Sequence, residues 1–326
     1  MRFLHSTAAF ALIFSQTAIA APATETSAQP KTQYVLISFD GAHDNALWAR
    51  SREFAKQTDV KFTYFLSCVF LLQRADRSHY QPPKLKRGSS NVGFAQDKQE
   101  VETRLQHIWQ AHLEGHEIAS HGCGHFDGKA WSAKDWDQEI NEFNRITAQA
   151  YKDNDIAGEP AEWQDFVANK ITGFRAPYLS DDKPVQDALR KNNFIYQASG
   201  VANAPERPTI KQGLATFGLP LIPEGPAKRP VVAMDYNLYV RHSKGKEQPE
   251  QAASFEERSY QAFKTAFDKE YNGKRAPFQM GFHFVLMNDG AYWRAMERLA
   301  REVCDKPDVK CTSYQNYLAE TAAFSR

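Results

Sequence analysis

The stretch "YVLISFD" (34–40) is a run of aliphatic and aromatic residues that ends in an aspartate. Similar runs recur at "KFTYFLS" (61–67), "EIASH" (117–121), "ITGFRAPY" (171–178), "FIYQAS" (194–199), "VVAMDY" (231–236), "FQMGFHF" (278–284) and "KCTSY" (310–314). Helix-like stretches lie between most of them, around 98–114, 134–149, 183–191, 254–270 and 291–302. Strands that alternate with helices indicate a parallel sheet. Seven or eight such units predict an α/β fold with a closed or nearly closed (β/α) barrel, and an open doubly wound sheet is the alternative.

Reactive side chains fall at or near the C-terminal ends of these predicted strands. They are Asp40, His121, Arg175, Tyr178, Asp235 and His283. In a barrel of parallel strands these ends converge on one face, where active sites are built. A single histidine or aspartate at a strand end is more often structural, whereas six reactive residues together predict an active site.

The segment "HGCGHFDG" (121–128) contains two histidines four residues apart. On a helix this spacing would place both imidazoles on one face, as in many metal sites. Gly122 and Gly124 make a regular helix unfavourable, so the pair is predicted to lie in a turn. From the residues alone, His121 and His125 are interpreted as metal ligands, catalytic groups or hydrogen-bonding groups.

The N-terminal segment has the pattern of a signal peptide over residues 1–20, with cleavage after Ala20. A membrane anchor is the alternative, but the stretch is short and interrupted by polar residues. Residues 21–31 are rich in Ala, Thr, Ser and Pro and are interpreted as a flexible lead-in, followed by one catalytic domain over 32–326. The mature protein is therefore expected to be secreted or periplasmic, with no membrane anchor after cleavage.

An exported protein with four cysteines is expected to contain disulfides. Cys304 and Cys311 are close enough in sequence to pair, which would leave Cys68 and Cys123 for each other. Alternatively, Cys68 is a buried thiol and Cys123 a small residue in a tight loop.

The overall charge is close to balanced, with a formal net charge of +1. This gives no electrostatic reason to expect nucleic acid or a membrane surface as partner. Two long connections, 71–94 and 204–230, interrupt the alternation of strands and helices. They are interpreted either as walls of a substrate groove, contributing Tyr80, Phe94 or Phe217, or as solvated insertions.

Taken in order, five segments resemble the signature motifs of the polysaccharide deacetylases, carbohydrate esterase family 4. They are "SFDGAHD", "HEIASHGCGHFDG", "GFRAPYLS", "VVAMDYN" and "MGFHF". The resemblance covers roughly residues 34–320. The context of Trp131, Ser132, Trp136 and Glu139 looks like the chitin deacetylase branch.

The resemblance implies a distorted (β/α) barrel of the deacetylase type and a divalent metal, with Zn²⁺ the first candidate. His121 and His125 match the two histidine ligands of the family. Asp40 matches the base and Arg175 the residue that orients it. The remaining matches are His283 as the acid for the departing amine, Asp235 as the group that tunes it, and Tyr178, whose backbone N–H helps hold the oxyanion.

One position departs from the family pattern in a way that affects the metal site. The family usually carries two adjacent aspartates, a base and a metal ligand, but here Asp40 is followed by Gly41. Asp44 or His43 would replace the missing third ligand, or Asp40 itself would bind the metal. We expect Asp40 as base and Asp44 as replacement ligand.

The resemblance therefore predicts a secreted, metal-dependent hydrolase that removes N-acetyl groups from an amino-sugar polymer or oligomer, chitin-like or peptidoglycan-like. An esterase for O-acetyl groups of xylan would use the same residues. A carbohydrate-binding pseudoenzyme with an impaired metal site is the alternative from another class.

Overall fold

The structure is a computed structural model that describes residues 32–321, which contain ten strands and nine α-helices. The strands are β1 (Gln33–Gly41), β2 (Thr63–Leu66), β3 (Glu117–Ser120), β4 (Gly173–Phe174), β5 (Tyr196–Ala202), β6 (Thr209–Lys211), β7 (Leu214–Glu224), β8 (Arg229–Val232), β9 (Phe278–His283) and β10 (Val309–Thr312). The helices are α1 (Asn45–Thr58), α2 (Lys98–Leu113), α3 (Ala133–Asp153), α4 (Trp163–Asn169), α5 (Lys183–Lys191), α6 (Asp235–Ser243), α7 (Ala252–Tyr271), α8 (Met287–Val303) and α9 (Tyr314–Glu320). The predicted signal peptide and lead-in lie outside the described residues.

Strand β1 is the centre of a curled, mostly parallel sheet. It pairs in parallel with β2, β9 and β10, and the sheet continues from β2 through β3, β4 and β5 to β7. Only β6 and β8, of the strands in residues 32–321, run antiparallel, both against β7. The other eight strands are parallel, which confirms the predicted α/β fold with seven or eight parallel strands.

The two ends of the curled sheet approach each other between β7, β8 and β9. The backbone N–H of Gly281 donates to the carbonyl of Ala233 over 2.9 Å. The side-chain amide of Gln279 donates to the carbonyl of Gly218 over 3.0 Å. These contacts close the curled sheet into a distorted half-barrel. The C-terminal ends of its parallel strands therefore lie at one face.

Two predictions about the segment 204–236 are wrong. The connection 204–230 contains β6, β7 and β8, and β7 is the longest strand of the described chain. The predicted sixth parallel strand, 231–236, is instead the end of the antiparallel strand β8 followed by the start of α6 at Asp235.

Local signals explain where several helices begin. Asp44 and Asp97 each accept a hydrogen bond from a backbone N–H in the first turn of α1 and α2, respectively. Ser132 and Asp135 form a reciprocal capping box at the start of α3. Side chains of β1 are buried for most of its length, as expected for a parallel strand covered on both faces.

Both predicted disulfides are present. Cys68 and Cys123 are bonded with a Cα–Cα distance of 4.4 Å, and Cys304 and Cys311 with one of 5.6 Å. Within residues 32–321 we find no helix with the length and apolar character needed to cross a bilayer.

Candidate active site

A cavity of about 450 Å³ opens at the C-terminal ends of the parallel strands. It brings together five of the predicted site residues: Asp40, His121, His125, Tyr178 and His283. The other lining residues are Val92, Ala176, Leu179, Met234, Tyr236 and Asn237. Arg175 and Asp235 lie behind this surface, each hydrogen-bonded to a side chain that lines the cavity.

Asp40 and Arg175 form a buried ion pair at the base of the cavity. An Nη1 proton of Arg175 is donated to Oδ1 of Asp40 over 2.8 Å, and both side chains are almost completely inaccessible to solvent. Burial alone raises the pKa of Asp40, but the guanidinium of Arg175 and, to a smaller extent, two neighbouring histidines lower it below its usual value. Asp40 is therefore ionised at neutral pH and able to accept a proton.

His283 lies beside Asp40 because the two residues are directly paired across β1 and β9. Its Nδ1 donates to Oδ1 of Asp235 over 2.7 Å, and its backbone N–H donates to Oδ2 over 2.7 Å. Burial lowers the pKa of His283, but the carboxylate of Asp235 outweighs burial and raises it to about 9. His283 is therefore a doubly protonated imidazolium at neutral pH, and its second N–H is on Nε2.

His121 and His125 have the opposite protonation state. Burial lowers the pKa of His121 to about 3, and burial followed by the charge of His283 lowers that of His125. The Nδ1 of His121 donates to the backbone carbonyl of Arg175 over 2.8 Å, which leaves the ring's lone pair on Nε2. The two ring centroids are 5.1 Å apart, so two neutral imidazoles lie side by side in the cavity.

Contacts from α3 and from the connection 71–94 fix the turn that carries these histidines. Glu139 is buried on α3, and its Oε1 accepts hydrogen bonds from the backbone N–H groups of Cys123 (2.7 Å) and Gly124 (3.1 Å). Its Oε2 accepts from the hydroxyl of Tyr80 over 2.6 Å. Asn91 donates to the carbonyls of Gly124 and, through its side chain, His125. The connection 71–94 therefore helps to hold the turn that carries His121 and His125, called the histidine turn below.

Glycines are required in this turn by conformation and by space. Gly122 has a φ of +67°, in the left-handed region. A Cβ on Gly124 would lie 2.3 Å from the ring of Phe126 and 2.7 Å from the hydroxyl of Tyr80.

Tyr178 lies at the mouth of the cavity, with 60% of its surface exposed. Its ring centroid is 5.2 Å from that of His125, and its backbone has a φ of +58°. A non-glycine residue in this conformation is uncommon and is often found at functional sites. The predicted use of its backbone N–H for an oxyanion stays a prediction.

The residues fit a divalent metal only in part. Two neutral imidazoles are the donors that zinc prefers, and the backbone carbonyl that holds Nδ1 of His121 is a typical support for a metal-binding histidine. However, over residues 32–321 no group of three His, Cys, Asp or Glu side chains is arranged to hold a metal ion. The described site therefore offers two imidazole donors that could hold a metal, without a third side chain arranged to complete a ligand set.

Asp44, expected as the third ligand, does not line the cavity. Its carboxylate caps α1 by accepting a hydrogen bond from the backbone N–H of Leu47 over 2.8 Å. The alternative, His43, packs its ring against Phe70 at a centroid distance of 5.0 Å and is also absent from the cavity lining in the described structure. Of the three proposed ligands, only Asp40 lines the cavity beside the two histidines.

Several residues that line the cavity were missed or misplaced by the sequence reasoning. Of the predicted wall residues, Tyr80 and Phe217 are buried in the core, and Val92 lines the cavity instead. Tyr236, which is 53% exposed, and Asn237 also line it. Both belong to the quoted motif "VVAMDYN", so their position next to Asp235 was the available signal.

Comparisons with solved structures identify the fold. A protein from Mycobacterium smegmatis assigned as a polysaccharide deacetylase superposes with a TM-score of 0.56 at 15% identity, covering 94% of each chain. One from Pseudomonas aeruginosa PAO1 with the same assignment gives a TM-score of 0.56 at 13% identity, covering 90% of this chain and 91% of the other. The allantoinase PuuE gives 0.55 at 13% identity, covering 94% and 99%.

At these sequence identities the similarity establishes the fold. The predicted resemblance to the polysaccharide deacetylases is thus confirmed at the level of a distorted (β/α) barrel of their type. No model of a known protein family matches the sequence, and a search of curated proteins finds no match.

Proposed function

We propose that this protein is an exported hydrolase that removes N-acetyl groups from an amino-sugar polymer or oligomer, of the chitin or peptidoglycan type. The observation that carries the proposal is the pairing of Asp40 with His283 across β1 and β9. One has a lowered pKa and the other a pKa raised to about 9, so a base and an acid face the same cavity at neutral pH. Two titratable groups whose pKa values are shifted apart in this way can divide the acid and base roles.

The roles follow from the protonation states. Asp40, held in place by Arg175, accepts the proton of an attacking water molecule. His283 donates its Nε2 proton to the departing amine nitrogen, and Asp235 stabilises the imidazolium before the transfer. Tyr178, at the cavity mouth, contributes its backbone N–H to the acyl oxygen.

A divalent ion held by His121 and His125 would supply Lewis acidity to polarise the acyl carbonyl. Zn²⁺ suits the two imidazole donors, and Asp40 is the carboxylate that lines the cavity with them. Export of the mature chain is supported by the signal-peptide pattern of residues 1–20 and by the two disulfides.

The test is acetate release from three acetylated substrates: chitin oligomers, peptidoglycan and acetylated xylan. Each is measured with the protein as purified, after chelation, and after addition of Zn²⁺. Acetate from the first or second substrate supports N-deacetylation. Release from xylan alone would identify an O-acetyl esterase instead.

A carbohydrate-binding pseudoenzyme is the second candidate. The observation that favours it is the lack, among residues 32–321, of a three-residue metal-ligand group. Binding of the oligomers without acetate release, in the presence of added zinc, would support this candidate and contradict the first.

A further inference from the structure

The guanidinium of Arg175 is held by four hydrogen bonds from three different parts of the fold. Its Nε donates to the carbonyl of Ala198 over 2.8 Å. Its Nη1 donates to Oγ of Ser38 and Oδ1 of Asp40, each over 2.8 Å. Its Nη2 donates to the hydroxyl of Tyr314 over 3.0 Å. Tyr314 is therefore the contact that holds the side of the guanidinium turned away from Asp40.

Tyr314 is itself fixed in the barrel interior. It is fully buried as the first residue of α9, and its hydroxyl donates to Oε1 of Gln279 over 3.2 Å. Its backbone N–H donates to Oγ1 of Thr63 over 3.2 Å. Its ring stacks on that of Tyr196 at a centroid distance of 5.4 Å. Because the backbone, the ring and the hydroxyl of Tyr314 each contact a neighbour, the hydroxyl is held where it accepts the Nη2 proton.

We propose that Tyr314 is a positioning residue for the reaction: its hydroxyl sets the orientation of Arg175 and thereby that of the Asp40 carboxylate. The inference rests on the proposed function for the role of Asp40 as base. When the acceptor at Nη2 is lost, the planar guanidinium can tilt about its Cδ–Nε bond, and the geometry of the Nη1–Oδ1 hydrogen bond changes with it. Because a base needs correct geometry in the transition state, turnover is affected more than substrate binding.

The first measurement compares Tyr314→Phe with Tyr317→Phe, using an N-acetylglucosamine tetramer as substrate. Tyr317 is a matched control because it is also buried, lies on α9, and is not a hydrogen-bond partner of Arg175 in the described structure. We expect kcat to fall about 10-fold in Tyr314→Phe with KM within about twofold, the size seen when a supporting hydrogen bond is lost at other sites. Tyr317→Phe should keep both constants.

The second measurement does not depend on activity. In ¹⁵N-labelled protein, the Nε–H and Nη signals of Arg175 report its exchange with water and its rotation. We expect slow exchange in the wild type and in Tyr317→Phe, and faster exchange in Tyr314→Phe. If the wild type releases no acetate, the proposed function fails, and these signals still decide whether Tyr314 positions Arg175.

Gln279→Leu provides a second variant if Tyr314→Phe does not fold. It removes the acceptor of the Tyr314 hydroxyl but keeps Tyr314, so a smaller fall in kcat is expected. It also removes the amide that donates to the carbonyl of Gly218, so its free energy of unfolding is measured beside kcat. A double-mutant cycle of Tyr314→Phe with Arg175→Lys should be non-additive in kcat, because both changes act on one contact. An unchanged kcat in Tyr314→Phe, additive effects in the cycle, or unchanged Arg175 signals would each overturn the proposal.

Discussion

Replacing Asp235 with asparagine tests how the acid of the proposed reaction is kept protonated. The Asp235 carboxylate raises the pKa of His283 to about 9, against an ordinary value of 6.5. Asparagine can still accept the Nδ1 hydrogen bond through its oxygen, although its amide nitrogen cannot accept from the backbone N–H of His283. It carries no charge, so the pKa of His283 should return to about 6.5 or below, since burial also lowers it. Asp235→Asn should therefore move the alkaline limb of the kcat profile from about pH 9 to about pH 6.5.

The size of the effect follows from the two pKa values. At pH 8 His283 is about 90% protonated with a pKa of about 9 and about 3% with one of about 6.5, a loss of about 30-fold in turnover. At pH 6 the same calculation gives a loss of less than about twofold. The assay is acetate release from a chitin oligomer between pH 5 and 10, together with an NMR titration of the imidazole.

The free energy of unfolding should also depend on pH through His283, in a direction that its raised pKa determines. A histidine whose pKa is raised on folding stabilises the protein below its unfolded pKa, and this contribution is lost as pH rises through the folded value. The difference between the folded and the ordinary pKa of His283, 9 − 6.5, corresponds to about 3 kcal/mol of folding free energy. The side chain is 29% exposed. The free energy of unfolding of the wild type, relative to that of Asp235→Asn, should therefore fall by this amount between about pH 6 and pH 10.

Glu224→Gln is the matched control for this experiment. Glu224 pairs with His242 over 3.2 Å, which is a second buried carboxylate–imidazole pair outside the cavity lining of the described structure. This variant should leave the pH profile of kcat unchanged. An alkaline limb that stays near pH 9 in Asp235→Asn would refute the assignment of His283 as the acid.

Three further predictions concern the metal and the histidine turn. His121→Ala or His125→Ala should lower the zinc affinity by about 10-fold to 100-fold or more while the protein stays folded. Equilibrium dialysis measures the affinity and circular dichroism the fold, and full zinc retention would show that the residue is not a ligand. Asp44→Ala should lower the free energy of unfolding by about 1 kcal/mol, the usual cost of a lost helix cap, with unchanged zinc content; a loss of zinc would restore Asp44 as a ligand. Glu139→Gln should weaken zinc binding about 10-fold while Glu142→Gln does not, since only the former holds the turn's N–H groups; equal affinities would contradict this role.

Grouping reactive residues by their position at the C-terminal ends of predicted strands brought together much of the candidate site, because the strands concerned are parallel. Asp40, His121, Arg175 and His283 each lie at or immediately after the C-terminal end of a parallel strand. The curled sheet brings those ends to one face, so a one-dimensional pattern was enough to group these residues.

The same reasoning failed where turn-forming residues occur inside a strand. Strand β7 contains Gly218, Pro220 and Pro223, which usually indicate a loop or an edge. Asp235 was assigned to the site as the end of a predicted strand, but in the structure it begins α6. Its position next to β9 depends on the closure of the barrel, which local sequence does not encode.

Tyr314 shows a different reason why sequence was insufficient. It is separated from Arg175 by 139 residues, and its segment was identified only as a final strand. The contact forms because α9 begins inside the barrel, beneath the cavity. Long-range hydrogen bonds of this kind leave no periodic signal in the chain.

For the third ligand of the proposed metal site, sequence and structure together leave one candidate carboxylate. Gly41, which stands where the family pattern has a second aspartate, has a φ of +85°. An L-residue held in a left-handed conformation is strained by roughly 1–2 kcal/mol, so an aspartate at this position would carry that strain unless the backbone changed. Asp44 is already used as a helix cap. Asp40 is thus the remaining carboxylate beside the two imidazoles. If it bound a metal in addition to Arg175, both cations would lower its basicity, and it would be less able to act as the base.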